Sequence, residues 1–202
     1  MTASAGPALK RLHEQFGDRV AFVSLYVREA HPGERYPQPE TFEAKLEHAR
    51  AYRDRDGLAW PVAVDDVDGS LHRALDPKPS SIYVMDRDGT VAFRALWSND
   101  ERVVREGLEL VADGPASEPR QRDNRVIPMT RGLGCQYEFL DLAGDVAKRD
   151  VLRQVPPMYA MARLAAALKP LPPLARGAVA QALFMGMSVV GAVALARAMR
   201  RS

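Results

Sequence analysis

The sequence predicts an α/β domain, a central sheet flanked by helices, followed by a helical tail. Residues 20–27 form an almost continuous apolar run, the pattern of a strand covered on both faces. Two further apolar segments, 82–85 and 91–96, are joined by Asp86-Arg87-Asp88-Gly89, a hairpin turn in which Gly89 tolerates positive φ. Around these strands, apolar residues recur at helical spacing.

The elements follow in order. Pro7 suits a first helical turn, Leu9, Leu12 and Phe16 share one face, and Gly17 supplies a left-handed cap. The run Val20, Phe22, Val23, Leu25, Tyr26, Val27 then makes a strand expected at the centre of its sheet. After a polar, proline-rich stretch through Pro39, Thr41 opens a helix whose Phe42, Leu46 and Ala49 face inward, and Asp56-Gly57 ends it. Trp60 to Val64 is a second buried strand and Ser70 to Leu75 a short helix leading to the hairpin. Ser98 and Glu101 predict a capping box for a last helix carrying Val103, Val104, Leu108 and Val111.

Residues 114–126 mix Pro, Ser, Gly and charges without periodicity and read as a linker between a domain over 1–113 and a helical tail over 127–202. The tail predicts one or two amphipathic helices over 128–168, broken at Pro156-Pro157, and Pro170 to Pro173 punctuate before a final helix. Residues 177–196 hold 20 residues without charge, bracketed by Arg176 and by Arg197, Arg200 and Arg201. That length admits a membrane span, interfacial contact or packing against protein. Ala182 and Gly186, four apart, would let another helix approach closely.

Charge divides unevenly. Residues 1–114 carry 15 Lys/Arg against 20 Asp/Glu, and 115–202 carry 13 against 6, so an acidic domain precedes a basic tail. Such a tail is a solvated surface or a contact for phosphate or anionic lipid. Basic residues are not interleaved with aromatics, and nothing supports nucleic-acid binding. The single cysteine, Cys135, excludes an intramolecular disulfide, a Cys-x-x-Cys pair and a thiolate zinc site. That thiol usage, with no basic-then-apolar leader at residues 1–7, leads to the expectation of a cytoplasmic protein.

His13, His48 and His72 lie on helices without metal-ligand spacing and are expected to be solvated or structural. Asp65-Asp66-Val67-Asp68-Gly69 invites a calcium reading but lacks the spaced ligands and closing Glu; a turn with an Asp cap fits better. No metal site and no cofactor is expected. Cys135, in Thr130-Arg131-Gly132-Leu133-Gly134-Cys135, is either a nucleophile or a buried thiol.

The fragment Phe22-Val23-Ser24-Leu25-Tyr26-Val27-Arg28-Glu29-Ala30-His31-Pro32 resembles the strand and Glu-Ala-His-Pro loop of the iodothyronine deiodinase-like, peroxiredoxin-like branch of the thioredoxin-fold redoxins. The resemblance covers residues 1 to about 112, and its order αβαβαββα is a thioredoxin-like fold without its first strand. It implies that Glu29 and His31 line a pocket and handle protons, and a histidine's ordinary pKa near 6.5 suits that work. It also implies that Pro79, before Ser80, is the family's loop proline beside the substrate; Pro79 otherwise simply leads into the strand.

The resemblance places the family's cysteine, in a threonine-cysteine-proline type of motif, about two residues before Met1. The expected function is then a redoxin thiol oxidoreductase, a peroxidase, reductase or reductive dehalogenase-like enzyme, whose nucleophile is absent from this chain. Its partners would be a thiol reductant and a small-molecule electrophile. The alternative is a catalytically inactive thioredoxin-fold binding or scaffold protein, membrane-associated through 177–196.

Overall fold

The structure, a computed structural model, describes residues 2–75, 80–114 and 118–199, with side chains from 5 to 187 within those spans. It is mixed α/β. In chain order the elements are α1 (Thr2–Phe16), β1 (Ser24–Tyr26), α2 (Phe42–Asp56), β2 (Val62–Val64), α3 (Ser70–Leu75), β3 (Ile82–Met85), β4 (Val91–Ala95), α4 (Glu101–Ala112), β5 (Arg120–Arg122), α5 (Val126–Ala143), α6 (Asp145–Gln154), α7 (Pro156–Ala167) and α8 (Pro173–Met199).

Helix termini follow local chemistry. Thr41 caps α2, its Oγ1 accepting from the Ala44 N–H at 3.2 Å, and Gly57 closes it in the left-handed conformation at φ 54°. The acidic cluster after β2 caps α3: the Asp65 carboxylate accepts from the backbone N–H groups of Leu71 and His72, at 3.1 and 2.9 Å. Lys45, buried on α2, donates to the Asp66 carbonyl, which fixes this turn against α2.

Several expectations are corrected. Pro7 lies inside α1 rather than at its start, where only a single turn precedes it and the missing N–H forfeits one bond. Gly17 is absent from the positive-φ positions; the close packing of its Cα on the His13 carbonyl, 2.6 Å from where a Cβ would stand, is what favours glycine there. Ser98 and Glu101 form no capping box, because Asp100 is the N-cap and Glu101 is drawn to Arg11 at 2.5 Å. Phe42 is exposed, and buried Lys45 and Ala49 hold the inner face of α2. Gly144 splits the first part of the tail into α5 and α6, so three helices occupy the span expected to hold one or two.

The sheet also differs from expectation. β1 pairs with β2 alone, parallel, with Leu25 opposite Ala63, while β3, β4 and β5 form a separate three-stranded sheet. The apolar run 20–27 therefore has no central position among the described residues: Val20 and Phe22 turn into the core, and Val23 is 63% exposed. Side-chain pattern encodes burial of strand faces but not which strands bond at each edge. The presumed linker is not featureless either, since β5 pairs parallel with β4, Gln121 opposite Arg94.

One helix pair bridges the two sheets. Leu12 and Phe16 of α1 meet Val104 and Leu108 of α4, with Val20 and Phe22 packing from the β1 side and Ile82 from β3. On its other flank α4 covers Val84, Phe93 and Ala95 through Val103. Leu12 is fully buried at this junction, so Leu12→Ala should lower unfolding free energy by about 3 kcal/mol. The urea midpoint should fall at unchanged slope. Faster amide exchange should appear in β1 and β3 together; acceleration in one sheet alone would refute the bridging role.

Candidate functional site

The end of β1 opens into a cleft of about 210 Å³. One wall is the chain from Ser24 to His31, the second is α2 through His48, Tyr52 and Arg55, and the third is α5 through Phe139, Leu142 and Ala143. Positions 48, 52 and 55 are spaced by four and three, which puts all three on one helix face. Alternation along β1 sends Ser24 and Tyr26 to the α2 side, where Ser24 Oγ accepts from Trp60 Nε1 at 2.9 Å and the Tyr26 ring lies 6.4 Å from that of Tyr52.

Glu29 is the centre of the site. Tyr26 donates its hydroxyl to Glu29 Oε1, and His48 Nδ1 stands 3.5 Å from the same oxygen. That is ion-pair distance for a protonated imidazole, although Nδ1 lacks hydrogen-bond alignment and is otherwise unpartnered. Burial, reinforced by the carboxylate, pushes the Tyr26 hydroxyl far above its ordinary pKa, so it remains a donor. The Tyr36 ring stands edge-on to His48 at 5.6 Å. Arg55 lies over the Tyr52 ring and bonds Asp56 at 2.8 Å, which neutralises the cation at the rim.

His31 lies on the rim with its Nε2 3.1 Å from Gln136 Nε2 of α5. The amide donates when the imidazole is neutral at that nitrogen, and desolvation lowers the His31 pKa, favouring that state.

The tail helices fix the loop that carries His31. Glu34 caps α6, its carboxylate accepting from the backbone N–H groups of Asp145 at 2.6 Å and Val146 at 2.9 Å. Gly144 has φ 119°, a conformation that strains other residues, and a Cβ there would stand 2.3 Å from the Glu34 carboxyl carbon and displace that cap. The Arg35 N–H donates to the Ala143 carbonyl at 3.1 Å.

Glu29 and His31 thus both line the cleft. Ser80 does not line it; it takes a left-handed φ of 63°, and its carbonyl accepts from Ser98 N–H at 2.8 Å. Pro79 lies outside the described residues. Cys135 points to α8: Arg176 Nη2 reaches its sulfur at 3.8 Å, and burial raises the thiol pKa despite that cation. His13 packs against Phe22 and Trp60. Tyr52 and Gln136 escaped the sequence reading, and His48, expected to be solvated or structural, lines the cleft; the spacing 48, 52, 55 was the available signal. Among the described residues no three His, Cys, Asp or Glu side chains converge to hold a metal.

No protein-family model, curated protein or solved structure matches the chain.

Hydrogen bonds to the Glu34 carboxylate from the Val146 and Asp145 N–H groups hold its pKa down at about 2, against 4.5 ordinarily. A depressed carboxylate stabilises the fold above the unfolded pKa and loses that effect as pH falls through the folded one. Glu34→Gln should therefore lower Tm at neutral pH, and the gap to wild type should close between pH 4.5 and about 2. A gap constant across that interval would show that the charge is not what caps α6.

Proposed function

We propose that the cleft is the acid–base part of a redoxin-type thiol oxidoreductase, a peroxidase, reductase or reductive dehalogenase-like enzyme working with a thiol reductant in the cytoplasm. The observation that carries this is the convergence of Tyr26, Glu29 and His48, with His31 at the rim, in a cleft lined by no thiol. These groups suit delivery of a proton to a leaving group as a thiolate attacks a small electrophile. The thiolate would come from a strand outside this chain. Among the described residues one edge of β1 and one edge of β3 pair with no strand, which supports that reading, since each has hydrogen-bonding groups for one more strand. A thioredoxin-like sheet would then be complete, with Ser80 at the entry to β3.

A second reading, a binding module without redox chemistry, is favoured by Cys135, the chain's own thiol, which is buried against Arg176 and held protonated. Turnover separates the two. With dithiol and hydrogen peroxide, the chain alone should be no faster than buffer, and Cys135→Ser should change nothing. Fusing a cysteine-bearing strand before Met1 should create turnover, which His31→Ala then lowers roughly ten- to a thousandfold. A fused protein that folds and stays inert from pH 5 to 9 would leave only the binding module.

A further inference from the structure

α8 divides at Gln181. Before it the helix is packed: a Cβ on Gly177 would stand 2.0 Å from the Thr130 carbonyl oxygen, Ala180 is fully buried, and Thr130 Oγ1 donates to Gln181 Oε1 at 3.1 Å. Beyond it Leu183, Met185 and Met187 are 48%, 67% and 72% exposed. With 3.6 residues per turn, exposed positions 182, 183, 185, 186 and 187 sweep roughly 200° of the helix circumference.

The exposed surface continues onto α5. Pro173 packs on Gly134 and Gly177 on Thr130, so the two helices run antiparallel. One turn back along α5 then stands level with one turn forward along α8. Val126 and Met129, 79% and 54% exposed, therefore flank the start of the free half, with exposed Arg125 just before them.

We propose that this end of the molecule docks on an anionic lipid surface, the distal half of α8 lying in the plane of the interface. The proposal does not rest on the function assigned to the cleft. A single neighbouring helix covers a narrower stripe than this apolar arc, whereas a lipid interface wraps it. The charge pattern selects the lipid: the sequence is uncharged from Gly177 to Ala196 and then carries Arg197, Arg200 and Arg201, the sign that anionic headgroups attract. Tip-first insertion would drag those arginines into hydrocarbon.

The test uses the full chain with vesicles of phosphatidylcholine alone or with roughly 30% phosphatidylserine. It should cosediment with the anionic vesicles at about 50 mM salt and bind at least about tenfold more weakly at about 500 mM salt, or to neutral vesicles. Met185→Glu/Met187→Glu should weaken binding at least about tenfold, with the circular dichroism and Tm unchanged. Arg197→Gln/Arg200→Gln/Arg201→Gln should weaken binding and flatten its salt dependence. Absence of binding at low salt overturns the proposal. So does retention after alkaline extraction, which marks a span, or a solution dimer that Met185→Glu/Met187→Glu dissolves, which marks a second copy as the occupant.

Discussion

The apolar seam between α1 and α4 is the constraint on which the rest depends. The two sheets share no ladder among the described residues, so no backbone hydrogen bond registers one against the other. Their relation is carried by side chains: Leu12 and Phe16 against Val104 and Leu108, with Phe22 and Ile82 bringing each sheet into the same cluster. Burial of this kind is non-directional and roughly proportional to area, which allows helices to hold two sheets together without completing a sheet between them. It also leaves β1 an open edge beside the cleft, where an intact ladder would have placed a neighbour.

Polar contacts set the position of the tail. Asn99, buried after β4, donates to the Pro128 carbonyl at 2.9 Å, and Arg131 reaches back to the Asn99 carbonyl. Glu34 and Arg35 hold the α5–α6 corner from the other side. Inside the tail, Arg176 and Glu138 pair at 2.7 Å, with Arg176 Nε and Glu138 Oε2 left without partners. A buried ion pair with such orphans adds little net stability, but a displaced register would strand both charges, so it specifies how α8 sits on α5. The tail is accordingly part of the cleft's wall rather than an appendage to it.

How much of this was legible in the sequence depends on the interaction concerned. Thr41, Gly57 and Gly89 act through their own backbone, and their helix cap, helix end and hairpin turn were readable where they stand. Glu29 and His31 were found because a short contiguous motif carries them. Gln136, Phe139 and Glu34 were not, since what places them is a tertiary contact between segments roughly 100 residues apart that no local pattern encodes. The apolar run 20–27 failed differently: it reports that side chains want cover, and Val20 and Phe22 take theirs from helices, leaving strand pairing unspecified. Lys45 inverted the usual rule, buried because the Asp66 carbonyl gives its ammonium a partner.

The opposed treatment of the cleft hydroxyl and the tail thiol ties the site to its chemistry. Both Tyr26 and Cys135 are pushed up by burial, and a neighbouring charge then decides how far. Beside Tyr26 the neighbour is the Glu29 carboxylate, which adds to burial and holds the proton on the hydroxyl. Beside Cys135 it is the Arg176 cation, which opposes burial without overcoming it, and Arg176 is itself engaged with Glu138. A thiol in that setting stays protonated and screened from the cleft, while a hydroxyl donor, a carboxylate and two imidazoles line the cleft. The chain therefore separates the carboxylate and imidazoles of the cleft from its own thiol, which lies against α8 and does not line the cleft.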